Sequence, residues 1–196
     1  MSQRPSPFDP NSAFFRRLPD GREIPEFPVV EFWRWGFSNV QENIIRGILA
    51  EFMVAKALGA PVVVRQSWDE ADVVLPSGVK VEVKSSGYIQ AWPQHRDSAI
   101  IFSGLRSRLW TPDGGLKPKP EYHADVYVFA IHTASSRDEY DPLNLDQWQF
   151  RVAPRAQLAA RDVRSLSYAQ LKKMVPAPIA YAGLADAVEE ALKSAA

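Results

Sequence analysis

The sequence predicts an α/β domain, and three patterns predict it. Apolar residues recur at spacings of three and four between residues 39 and 58, which is helical periodicity. Two β-rich runs, Asp72 to Leu75 and Val79 to Ser85, flank Pro76-Ser77-Gly78, a turn composition. A further run, Asp125 to His132, is apolar on both of its alternating faces, as a central buried strand requires.

Size and charge set the bounds. A chain of 196 residues suits one domain with a sizeable core, and 46% apolar with 23% charged residues marks it as globular. The formal net charge is zero, so binding to a polyanion needs a local basic patch. The absence of cysteine excludes disulfides, thiolate zinc sites and cysteine nucleophiles, and it fits a reducing cytoplasm. The N-terminus has no apolar segment of the secretory kind, and no apolar run is long enough to span a bilayer, so no membrane is expected as a partner.

Residues 1–37, rich in proline and aromatics, read as an irregular arm packed on a single domain of residues 38–196, with a short helix near Ser12 to Leu18. Aromatics such as Phe14, Phe15, Trp33 and Trp35 anchor an arm of this kind, and stacking on bases is the alternative reading. Ser38, with Gln41 three residues on, has the pattern of a capping box. The helix is therefore expected from Asn39 to Leu58, stopped by Gly59 with Pro61 beyond. Its apolar stripe is Ile44, Ile48, Phe52, Ala55 and Leu58. Glu51 falls within that stripe, with Gly47 one turn earlier. A carboxylate facing a core is costly unless it is paired or bound to a cation, so Glu51 either reaches a structural arginine or belongs to a site.

Shorter strands are expected at Val62 to Arg65, Ala99 to Phe102 and Trp148 to Val152. Leu105 to Trp110 reads as a short helix or turn and 111–120 as a loop. The C-terminal third turns helical, at Ser167 to Met174 and Leu184 to Lys193.

Pairing the hairpin about Ser77 sets Leu75 opposite Val79 and Asp72 opposite Glu82. Val73, Leu75, Val79, Val81 and Val83 then share one face, while Asp72, Val74, Lys80, Glu82 and Lys84 share the other. A slip of one residue would mix the two sets, so the pattern itself supports the register. Two carboxylates and an ammonium on one face suit metal-assisted hydrolysis of a phosphodiester. Asp72, Glu82 and the Val83 carbonyl are oxygen ligands of the kind Mg²⁺ takes, and Lys84 points the same way to stabilise a phosphate or position a water. Glu51 from the helix would complete the metal shell. A solvated hairpin face is the plain alternative.

The order Glu51, then Asp72, then Glu82-Val83-Lys84 resembles the PD-(D/E)xK nuclease superfamily over roughly residues 39–155. Ala71 stands where that pattern often has proline. The resemblance implies a restriction-endonuclease-like fold, with a mixed central sheet flanked by helices. It implies Mg²⁺, with Mn²⁺ as a substitute, on Asp72 and Glu82. Lys84 would assist the attacking water, Glu51 would sit beside the metal, and DNA would be the substrate. A homodimer would let both strands be cut. The stretch from Glu82 to Trp92 also resembles a group of bacterial proteins with this core. A glutamine soon after the lysine is common among such nucleases, which makes Gln90 a candidate.

Arg96, Arg106, Arg108, Lys117 and Lys119 outnumber Asp97 and Asp113 in one segment and are the candidates for phosphate contacts. The rival reading is a non-catalytic nucleic-acid-binding or assembly subunit that keeps the fold. His95, His123 and His132 lack zinc-site spacing, and Ser85-Ser86 has no nearby histidine to activate it.

Overall fold

A computed structural model describes residues 9–61, 63–67, 69–111 and 114–194. In chain order the strands and helices begin with β1 (Ala13–Arg17), β2 (Glu23–Pro28), α1 (Val29–Phe37) and α2 (Asn43–Ala57). Next come β3 (Val73–Val74), β4 (Lys80–Gly87), β5 (Ile101–Phe102), β6 (Trp110–Thr111) and β7 (Gly115–Leu116). The last are β8 (Val126–His132), β9 (Trp148–Pro154), α3 (Arg155–Ala159), β10 (Leu166–Ser167), α4 (Tyr168–Met174) and α5 (Leu184–Lys193).

The core is a mixed sheet in the order β3-β4-β8-β9. β4 and β8 are parallel, and the two outer pairings are antiparallel. β8 is buried at every position, as its two apolar faces predict. Its Val126, Val128 and Ala130 join Ala50, Met53 and Val54 of α2 and Leu184 and Val188 of α5 in one cluster. Its Tyr127, Phe129 and Ile131 join Phe102, Leu105, Leu158 and Leu171 in a second. Parallel strands cannot be joined by a tight turn, and the long connection from β4 to β8 supplies Ile100, Phe102 and Leu105 to the second cluster.

The hairpin has the expected register. Val73 pairs with Val81 and Val74 with Lys80, and Leu75 N–H donates to the Val79 carbonyl at 2.9 Å. Gly78 turns the chain at φ +86°, a conformation that side chains other than glycine rarely adopt. At the other end of the chain, Ser167 caps α4 in a full capping box with Gln170. Ser167→Ala is expected to lower stability by about 1 kcal/mol, read as a shift of the urea midpoint.

Several elements differ from the sequence reading. Ser12 to Leu18 is not helical: Ala13–Arg17 pairs with Glu23–Pro28 as an antiparallel hairpin, and Phe14 stacks on Phe27 at 4.9 Å. The Pro19-Asp20-Gly21 turn, with strand-forming aromatics on either side of it, outweighs helical spacing there. The arm is also not irregular after that hairpin, because Val29–Phe37 is a helix. No described residue before Arg46 is buried, and Trp35 is 87% exposed.

α2 starts at Asn43 rather than Asn39, so Ser38 and Gln41 form no capping box; Ser38 instead closes α1. Its buried face is Arg46, Ala50, Met53 and Val54. Ile44 and Phe52, placed in the stripe by spacing, are 78% and 47% exposed. Ala55 and Leu58 of that stripe do pack on the core, but an arginine occupies the first core-facing position, so the apolar periodicity places the buried face only in part. Val63 to Arg65 forms no strand, and Val62 lies outside the described residues. Ser107 bridges Glu121 in extended form where a helix or turn was expected, and the loop 111–120 carries β7 paired to β6.

Candidate active site

The β3–β4 hairpin builds the site. Lys80, Glu82 and Lys84 alternate with the valines Val81 and Val83, which are buried under α2. Glu82 is the register partner of Tyr127, so the charged face lies on the side of the second cluster. Asp72 precedes β3 on that same face. Its Oδ2 accepts the Val83 N–H at 2.8 Å, which ties the aspartate to the strand that carries Glu82. Lys84 Nζ lies 2.5 Å from Glu82 Oε1, and these side chains are only about a fifth exposed. Asp72 is thus joined to the strand through the Val83 N–H, and Lys84 to Glu82 through their ion pair.

Glu51 comes from α2, on the other face, and reaches the edge where Asp72 sits. Both of its oxygens are taken by Arg65, at 2.5 and 2.9 Å. The structural arginine that would satisfy this carboxylate is thus present. The sequence pattern expects Arg65 in a strand and does not match it to Glu51, although an unmatched acid on a helix is a signal to look for a cation in the following segment.

The electrostatics bind the four elements together. Burial, then the charges of Glu82 and Glu51, push the Asp72 carboxyl up to about 7; the Val83 N–H and Lys84 oppose that rise. Glu51 holds Arg65 above the usual arginine value. Three carboxylates face two cations here, so a further positive charge would be favourable.

A divalent metal can be tested against these atoms. Among the described residues no three acidic or histidine side chains are grouped closely enough to hold one ion. Glu51 has both oxygens engaged and does not join a shell in this arrangement. Asp72 and Glu82 each bond through a single oxygen, leaving Oδ1 and Oε2. The N–H and C=O of one strand residue leave by the same edge, so the Val83 carbonyl faces the Asp72 side. Two carboxylates and a carbonyl are oxygen donors of the class that Mg²⁺ and Mn²⁺ take, ions that commonly keep several waters.

Other candidates are placed elsewhere. Gln90 is buried beyond the end of β4, where its amide donates to the Gly87 carbonyl at 2.9 Å and its Oε1 accepts from Arg46. It holds the chain after the strand and does not meet the carboxylates. Arg106 donates to Asp162 at 2.6 Å and covers the Tyr122 ring, a structural role. Arg96, Arg108, Lys117 and Lys119 are exposed, and Asp113 lies outside the described residues. Two neighbours went unread in the sequence. The Gly104 loop lies over Lys84, since a Cβ added there would stand 3.8 Å from Nζ. Tyr127 sits beside Glu82 and donates to the Leu105 carbonyl at 3.2 Å.

No family model matches the chain, and no curated protein matches it. No helix among the described residues is long and apolar enough to cross a membrane.

Proposed function

We propose that this chain is a metal-dependent nuclease of the PD-(D/E)xK type, with a restriction-endonuclease-like core, that hydrolyses DNA phosphodiester bonds. The observation that carries the reading is the shared face of Asp72, Glu82 and Lys84 at paired positions of one hairpin. The order of elements supports it: an acid-bearing helix, the hairpin, then a parallel strand and an antiparallel one.

Asp72, Glu82 and the Val83 carbonyl would hold the Mg²⁺, which when bound supplies charge neutralisation and a more acidic water. The chain's own part is positioning. Lys84, beside Glu82, would place its ammonium on the phosphate or the attacking water. Arg65 holds the Glu51 carboxylate at the edge of the site. Arg108, Lys117 and Lys119 supply exposed charge for the nucleic-acid backbone.

The test is cleavage of plasmid and of single-stranded DNA with Mg²⁺ or Mn²⁺. Lys84→Met and Glu82→Gln are each expected to slow cleavage by about 10²–10³-fold, in proportion to the loss of one preorganised charge. Equal rates in wild type and both variants would refute the reading.

A second reading is favoured by the arm. Phe14, Phe15, Phe27 and Trp35 are exposed, which suits an assembly subunit that retains the fold or a homodimer. Calorimetric titration with Mg²⁺ separates the two: heat that vanishes in Glu82→Gln favours the enzyme, and no heat in either protein favours the subunit.

A further inference from the structure

A cavity of about 320 Å³ opens between α2 and β3. Its walls are Ile48, Phe52 and Ala55 from the helix, with Val63 and Val74 opposite. Phe52, Val63 and Val74 are 47%, 53% and 42% exposed. Large apolar side chains gathered round a concavity, with charges on one rim, mark a ligand site rather than ordinary surface.

The charged rim adjoins the candidate active site. Glu51, Arg65 and Asp72 line the cavity, so an occupant lies beside Asp72, the residue tied to the strand that carries Glu82 and Lys84. Gln66 and Asp69 complete the polar side of the cavity. An occupant with two flat apolar faces and a hydrogen-bonding edge matches this division. Lys56 Nζ stands 5.6 Å from the centre of the Phe52 ring, so a cation accompanies this aromatic wall.

We propose that this cavity takes an unpaired nucleobase, the one next to a phosphate that meets the Lys84 ammonium. The proposal rests on the nuclease reading and narrows it to DNA with an unstacked base: single strands, flaps or frayed ends. A base inside a duplex is covered on both faces by its neighbours and presents only its groove edges. It can enter walls such as Phe52 and Val74 only after leaving the stack, which is least costly in a single strand. Stacking on an aromatic wall tolerates any base, so the cavity selects strand state rather than sequence.

The experiment measures binding in EDTA, where no metal-dependent cleavage occurs. A labelled single-stranded oligonucleotide, its duplex, the same strand carrying one abasic site and a free mononucleotide are compared by anisotropy and competition. A copy of the strand with 2-aminopurine reports base burial by fluorescence. The single strand is expected to bind more tightly than the duplex. Phe52→Ala is expected to weaken single-strand binding about tenfold, to leave duplex binding unchanged and to abolish the 2-aminopurine response. Val74→Asp, at an exposed wall position, is expected to do the same, with circular dichroism showing that both variants fold.

Equal binding of duplex and single strand would overturn the proposal, as would unchanged single-strand affinity in both variants. A mononucleotide that binds as tightly as the strand would also overturn it, by assigning the cavity to a free nucleotide. Displacement of no nucleic acid but capture of an apolar peptide would assign it to a protein partner. None of these outcomes touches the nuclease reading, whose own test is cleavage lost in Lys84→Met and Glu82→Gln.

Discussion

Asp72→Asn is expected to melt at a higher temperature than the wild type at pH 8 in metal-free buffer, while losing Mg²⁺-dependent cleavage. Burial and the neighbouring Glu82 and Glu51 raise the folded-state acid to about 7, from 3.8 for an unperturbed aspartate. Between those values the folded chain holds a proton that the unfolded chain has released. Stability therefore falls as pH rises through this window, and the full penalty is present above it. Each unit corresponds to about 1.4 kcal/mol, so the ceiling is about 4 kcal/mol, and about 2 is expected after local relaxation. Asparagine carries no charge at any pH, and its Oδ1 can still accept the Val83 N–H. The two melting curves should converge near pH 4 and separate towards pH 8.

Adding Mg²⁺ at pH 8 should reverse the ranking. A cation bound by Asp72 and Glu82 stabilises only the protein that binds it, by mass action. The wild type should gain several degrees and the variant none. Wild-type curves that are flat across pH and indifferent to Mg²⁺ would remove both the raised acidity and the metal from the account.

Arg46→Ala is expected to cost about 3–5 kcal/mol, measured by urea denaturation. Arg46 is 3% exposed, and among the described residues no carboxylate pairs with it. Its Nη1 donates to the Ile89 carbonyl at 3.0 Å, and its Nη2 donates to Asn43 Oδ1 at 2.5 Å. Gly87 lies under the guanidinium, where a Cβ would stand 3.5 Å from Nη1 and 3.2 Å from the His132 Cβ. His132 stacks on Tyr140 at 4.3 Å in the same region, and burial pulls its imidazole below the usual histidine value. Removing the guanidinium leaves buried acceptors without a donor, at about 1–3 kcal/mol each, and opens a void. Arg46→Met fills the volume but not the hydrogen bonds, so it should cost about half as much. A loss below about 1 kcal/mol for Arg46→Ala would show that water replaces these bonds freely.

The hairpin was legible because strand alternation is strict. With valines at every second position, only one register keeps the apolar face whole, and that register places Asp72 opposite Glu82. β8 was legible from two apolar faces, and α5 (Leu184–Lys193) has the bounds that its periodicity suggested. α2 was legible as a helix but only partly in its orientation: Ala55 and Leu58 pack on the core as their spacing suggested, while the core face begins with Arg46, a residue that hydrophobic spacing counts as solvent-facing. The arm was misread because its proline and glycine suggested irregular chain, while the cross-strand contact of Phe14 and Phe27 draws it into a hairpin.

What this sequence determines by itself is local: which side chains share a strand face, where turns fall and where the C-terminal helices run. Alternation and turn chemistry act over a few residues, so they can be read without a partner. The tertiary structure decided what lies between distant segments. It set β8 parallel to β4, gave Glu51 to Arg65, moved Gln90 into a buried support and opened a cavity beside Asp72. It also set the acidity of Asp72, because that depends on how much water remains around one carboxylate and how near two others come.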